Sequence, residues 1–131
     1  MRIRIAAVVS LAVLASAAWA GEAGAHKKSF KSIVDIDTYK FSGEFGGVVN
    51  SFENKRCARE RVIALWRRNP GAMDAPMGTA RSGDGGRWAI NVTATPAVYY
   101  ATAKKRVLFR KKGKHFHFCR FARSAPFEIG F

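Results

Sequence analysis

Gly83-Asp84-Gly85-Gly86-Arg87-Trp88-Ala89-Ile90-Asn91-Val92 decides the fold class, because it joins a dense turn signal to a clean alternation. Three glycines around an aspartate supply the backbone freedom of a tight turn. The residues after it set Trp88, Ile90 and Val92 on one side and Ala89, Asn91 and Thr93 on the other, the period of a half-buried strand. Trp88 is therefore a core candidate. No Lys-Ser/Thr follows the glycines, which argues against a phosphate-cradling loop, and a hairpin turn is the expectation.

The same grammar extends outward. Residues 73–82 read as a loop and weak strand, and residues 41–50 (FSGEFGGVVN) as a glycine-punctuated one. Residues 59–68 (RERVIALWRR) hold five apolar residues in a row, which suits a buried strand or a short helix. Cys57 ahead and the Pro70-Gly71 turn behind favour the strand. Cys57, Ile63 and Leu65 share one face and Val62, Ala64 and Trp66 the other, so the pattern leaves the inward face open. Downstream, residues 98–109 (VYYATAKKRVLF) are rich in β-branched and aromatic residues. Lys111-Lys112-Gly113-Lys114 reads as a basic turn into a strand over 115–121, and 127–131 alternates Phe, Ile, Phe. Short strands at intervals of about 8–12 residues, with no amphipathic helix between them, predict an all-β fold. The expectation is one antiparallel β-sandwich of about seven strands, prealbumin-like or Ig-like, over residues 41–131. Residues 21–40 begin polar and small and read as a partly disordered leader.

The chain has 131 residues, 23 Lys plus Arg against 9 Asp plus Glu, a net charge of +14, and 48% hydrophobic residues. That suits one small domain and is too short for a typical two-domain enzyme. Residues 1–20 combine a basic start, an uncharged and mostly apolar run over 5–18 and the A-x-A motif Ala18-Trp19-Ala20. They read as a signal peptide cleaved after Ala20. The run is shorter than the roughly 20 apolar residues a membrane-spanning helix needs, so no transmembrane anchor is expected after cleavage. The expected location is extracellular or periplasmic, where thiols pair. Cys57 and Cys119 are the two cysteines, and a bridge closing about 60 residues contributes roughly 4 kcal/mol in the chain-entropy model. The alternative is two free or intermolecularly paired thiols.

A family resemblance follows from ordered fragments: Phe45-Gly46-Gly47-Val48-Val49, Cys57, Arg61-Val62-Ile63-Ala64-Leu65 with Arg67, Gly78-Thr79, Asp84-Gly85-Gly86-Arg87-Trp88, Tyr99-Tyr100-Ala101, and Cys119 with Ser124. In this order they resemble the small secreted bacterial modules of the carboxypeptidase regulatory-like and transthyretin-like (prealbumin-like) class. The resemblance implies a seven-stranded sandwich with Cys57 and Cys119 joined, and a module without chemistry of its own. Ser82-Gly83 stands where such modules often carry Thr-Asp, which leaves the turn's side-chain hydrogen bond open.

The residues themselves point away from catalysis. There is no G-x-S-x-G elbow for nucleophilic work, and from Arg87 to the end Glu128 is the sole carboxylate side chain, so paired acids are lacking. No enzyme activity and no cofactor are expected. His115, His117 and Cys119 alternate on one predicted strand, which would align two imidazoles and a sulfur as metal ligands. A disulfide at Cys119 removes the sulfur, and two histidines make a weak surface site, so no metal is expected.

Charge is uneven along the chain. Residues 21–86 carry 11 basic and 8 acidic groups, whereas 87–131 carry 10 and 1. Seven of those cations, Lys104, Lys105, Arg106, Arg110, Lys111, Lys112 and Lys114, surround the predicted hairpin beside Phe109, Phe116 and Phe118. Such a hairpin suits a polyanionic envelope or extracellular ligand, because each anion contact releases counterions and exposed rings offer stacking surface. It equally suits a solvated edge on which cations guard an exposed strand. Nothing resembles a recognition helix or an RNP motif, so sequence-specific nucleic-acid binding is not expected. The runner-up role is a secreted protein-interaction module, an inhibitor or accessory subunit, using edge strands and aromatics.

Overall fold

A computed structural model describes residues 26–111 and 115–130, His26 through its backbone. The expected signal peptide and its cleavage site lie outside these residues, as do Lys112 and Lys114. The described chain is all-β, with one 3-10 turn at Lys55–Cys57. Its strands are β1 (His26–Phe30), β2 (Ile33–Val34), β3 (Thr38–Lys40), β4 (Glu44–Asn50), β5 (Val62–Arg67) and β6 (Ala75–Arg81). They continue as β7 (Arg87–Asn91), β8 (Ala97–Ala103), β9 (Arg106–Lys111), β10 (His115–Cys119), β11 (Ala122–Arg123) and β12 (Phe127–Ile129). Among the described residues no helix is long and apolar enough to cross a membrane.

Two antiparallel sheets form the sandwich. In one, β6, β5 and β8 run side by side and β8 also pairs with the short β11 and β12. In the other, β4 is central, with β7 on one edge and β2 and β3 on the opposite edge. Alternation along each strand delivers the core between them: Phe45 and Val49 from β4, Ile63 and Leu65 from β5, Trp88 and Ile90 from β7, Tyr99 and Ala101 from β8. This settles the inward face of β5 in favour of its odd positions, leaving Trp66 outside against Tyr100 and donating from Nε1 to Thr102 Oγ1 at 3.0 Å. The Phe45 ring is central, 4.8 Å from Tyr39 and 4.9 Å from Tyr99 between centroids. Buried Tyr99 keeps its hydroxyl satisfied by donating to Thr95 O and accepting from Thr95 N, as a buried polar group must.

A third sheet, ordered β1-β10-β9, is where the sequence reading changes most. β9 and β10 form the antiparallel basic hairpin that was expected, but β1 joins β10 in parallel. The fold therefore reaches back before Phe41: residues 26–40, the described part of the leader expected over 21–40, supply three strands. Their order comes from distant partners: Lys31 N donates to Glu53 Oε2, Ser51 Oγ to Lys31 O, and Asp35 N to Val48 O. The strand count rises accordingly from about seven to twelve among the described residues. The 98–109 run also divides, with Lys104 and Lys105 linking β8 of the sandwich to β9 of the third sheet.

The Gly83-Asp84-Gly85-Gly86 turn differs from its expected form too. β6 and β7 belong to different sheets, so it carries the chain across the sandwich instead of closing a paired hairpin. Gly86 adopts φ +81° there, and a Cβ on it would lie 2.1 Å from Val49 O. Glycine allows both the left-handed backbone and the close approach to β4. Ser82 bonds away from the turn, accepting from Arg61 N and donating to Ala58 O.

Candidate anion-binding face

Two adjoining features, a disulfide and a buried arginine, help fix the third sheet to the sandwich. Cys57 and Cys119 are disulfide-bonded across a separation of 62 residues, and with Phe30 and Leu108 they make a small buried cluster of their own. Beside them Arg61 is completely buried. Its guanidinium donates to Lys104 O, Cys57 O, Arg120 O and Ser32 Oγ at 2.6–3.2 Å. All of these acceptors are neutral, and they come from the 3-10 turn, the β1–β2 link, the β8–β9 link and the β10–β11 link. Burial, and then the neighbouring Arg106 charge, lower its pKa to about 10, so it remains a cation at neutral pH.

Register sorts the hairpin's side chains between two faces. Lys27 pairs with Phe116, Ser29 with Phe118, Arg110 with Phe116, and Val107 with Phe118. Residues directly opposite share a face, so these residues form one surface. β9 gains one residue between Val107 and Phe109 against His117-Phe118, a bulge that turns Leu108 to the disulfide cluster while Val107 stays with Phe118.

On the first face Phe116 and Phe118 lie 5.0 Å apart between centroids and carry cations over their rings. Lys105 Nζ is 4.3 Å from the Phe118 centroid and 5.0 Å from that of Phe116. Lys27 Nζ stands at 5.4 and 5.8 Å, and the Arg110 guanidinium is 5.7 Å from Phe116. Arg120 closes the edge, donating from Nε to Ser29 Oγ at 2.8 Å. Each cation–π contact is worth about 0.5–1 kcal/mol at an exposed site, enough to favour extended cations on the rings. The ion pairs among the described residues, Lys40–Glu44, Arg87–Asp37 and Arg106–Glu60, leave out all four of these cations.

The expected site residues divide. Lys105 and Arg110 join this face. Lys111 pairs with His115 and so belongs to the opposite one. Lys104 is exposed at the link, its carbonyl held by Arg61. Arg106 leaves the set: its guanidinium donates to Arg56 O and Arg59 O and pairs with Glu60, bracing the 3-10 turn. Lys27 and Arg120 were missed. Arg120 was legible as the next step of the 116, 118, 120 alternation, whereas Lys27 enters only through the parallel β1–β10 pairing. Phe109 belongs to the second face with His115 and His117. Cys119, being bonded to Cys57, is no ligand, and among the described side chains no group of three or more His, Cys, Asp or Glu is placed to hold a metal ion.

No protein-family model matches the chain, and no curated protein is significantly similar to it.

Proposed function

We propose that the protein is an exported, non-catalytic β-sandwich module that binds a polyanion of the cell envelope or extracellular space through the β1-β10-β9 sheet. The observation that carries this reading is the convergence of Lys27, Lys105 and Arg110 on one Phe116–Phe118 platform, with Arg120 held on neighbouring Ser29. Like charges held this close repel one another, and an anionic polymer relieves that repulsion while releasing its own counterions. Because Lys105 and Lys27 already lie over the rings, the platform serves cation placement more than base stacking. This favours a phosphate- or carboxylate-rich backbone over recognition of bases. The disulfide supports export, since such bridges persist in oxidising compartments. The sandwich and the bridge are also what the resemblance to carboxypeptidase regulatory-like and transthyretin-like modules implies.

The test is titration with inorganic polyphosphate at several salt concentrations, comparing wild type with Lys105→Glu/Arg110→Glu. Wild-type affinity is expected to fall linearly on a log–log salt plot, and the variant's slope to be shallower by about 0.7–0.9 per lost contact. Equal affinity and slope in the two proteins would sink the reading.

One observation favours a second role. β9 is an outer strand of its sheet and bears half-exposed Val107 and Phe109, which suits addition of a partner's strand. Such binding would change little with salt.

A further inference from the structure

In the sheet built around β4, Phe45 and Val49 belong to the core, so positions 44, 46 and 48 lie on the outer face. The register sets Thr38 and Ala89 on either side of Gly46, and Arg87 beside Val48. Opposed residues share a face, so a residue without a side chain sits between two small ones in the middle of this surface. Over it opens a groove of about 480 Å³ whose walls include Lys40, Glu44, Arg87 and, from the end of β6, Arg81. Packing leaves room for a side chain at position 46. A Cβ there would lie 3.6 Å from Trp88 O and 3.7 Å from Thr38 Cβ, ordinary contact distances, whereas at Gly47 and Gly78, the other glycines of the described strands, it would meet atoms at 1.9 and 2.7 Å. What the bare backbone of Gly46 supplies is the recess itself.

We propose that this groove binds a carboxylate-bearing sugar of the uronic acid class. Charge decides the anionic end. Lys40 pairs with Glu44 at 3.3 Å and Arg87 with Asp37 at 3.6 Å, while exposed Arg81 enters no ion pair among the described residues. An open guanidinium fork takes a carboxylate through two parallel hydrogen bonds. The rest of the rim suits hydroxyl groups. Thr38 Oγ1 donates to Asp37 Oδ1 at 2.6 Å, which leaves its lone pairs to accept, and beside it Glu44 accepts and Lys40 donates. The floor of Gly46 and Ala89 carries nothing larger than a methyl group, so a sugar ring can lie across it. The volume falls within the range of small-molecule sites. The proposal stands independently of polyanion binding by the β1-β10-β9 sheet, to which none of these residues belongs.

The test is an NMR titration of the full chain with galacturonic acid and digalacturonic acid, each against its methyl ester, which keeps the hydroxyls and removes the charge. Amide shifts should concentrate at Thr38, Gly46, Arg81 and Ala89, and the esters should bind at least about tenfold more weakly. Preference for the dimer assigns the groove to a polysaccharide unit, and preference for the monomer to a free sugar acid. Arg81→Gln should weaken both acids by a similar factor, whereas Lys105→Glu/Arg110→Glu should leave these shifts in place. Gly46→Ala fills the recess and should weaken binding while the remaining amide spectrum stays that of the folded wild type. Equal affinity for acid and ester, wild-type affinity in Arg81→Gln, or no binding of either acid overturns the proposal. Shifts confined to the β1-β10-β9 sheet overturn it too, and leave the polyanion reading standing.

Discussion

Arg61 shows most clearly what a single side chain does here. It brings a permanent cation into a site with no carboxylate and satisfies it with three carbonyls and a hydroxyl drawn from four segments. Removing it strands those buried acceptors, and each charged hydrogen bond is worth about 1.5–3 kcal/mol. Arg61→Met should therefore lower unfolding free energy by about 3 kcal/mol or more in urea titration. Arg61→Lys should rescue little, because an ammonium has three donors and lacks the planar fork. Asp74 and Tyr100 form a second residue-scale device on the outer face of the sandwich, where the Tyr100 hydroxyl donates to Asp74 Oδ2 and Arg123 lies over the ring at 3.8 Å. That hydrogen bond, followed by the Asn69 backbone N–H, holds the Asp74 carboxyl below its usual value, and the same bond raises the Tyr100 pKa. A lowered carboxyl contributes stability above the unfolded-state value near pH 4 and loses it as pH falls through the folded value. A raised phenol contributes below about pH 10 and loses it as pH rises through its folded value. The difference in urea midpoint between wild type and Tyr100→Phe should hence be flat near neutrality and shrink at both extremes. A constant difference down to pH 2 would dissociate the hydrogen bond from that stability.

Elements in this chain are governed by two periods of information, one local and one not. Strand alternation is local, and it placed Trp88 and Ile90 inward and predicted the β9–β10 hairpin. The 83–86 turn was legible as a turn but not as a sheet crossing, because the glycines specify backbone freedom and say nothing about which sheet receives the next strand. That choice rests on β4, where Val49 N donates to Gly86 O at 2.8 Å. Gly86→Ala should cost about 1–3 kcal/mol, combining the left-handed backbone with the 2.1 Å approach to Val49 O. Thermal unfolding measures it. Gly85→Ala meets nothing within 4 Å of its Cβ and is the control, expected to change stability much less. The hairpin's facial sorting was half legible: the 116, 118, 120 alternation was readable, whereas the Leu108 bulge, which redirects half of β9, has no signature in the sequence.

For the whole molecule, the disulfide and Arg61 hold a three-stranded sheet against a two-sheet sandwich. The Cys57→Ser/Cys119→Ser variant should lose roughly 4 kcal/mol, the chain-entropy value for closing a 62-residue loop. Equilibrium denaturation with and without reductant checks this, and a wild type insensitive to reductant would contradict it. By itself the sequence determined the all-β class, the inward side of β7 at Trp88 and Ile90, two cysteines as each other's possible partners and the concentration of positive charge beyond Arg87. Each of those follows from residue type or from a two-residue period that short segments carry alone. The tertiary structure decided that residues 26–40 belong to the fold and that Lys27 joins Lys105 and Arg110. Those outcomes depend on β1 lying parallel to a strand 89 residues further along. Such a pairing is fixed by the packing of Phe30 on the disulfide and by backbone hydrogen bonds between distant segments, which no local pattern encodes.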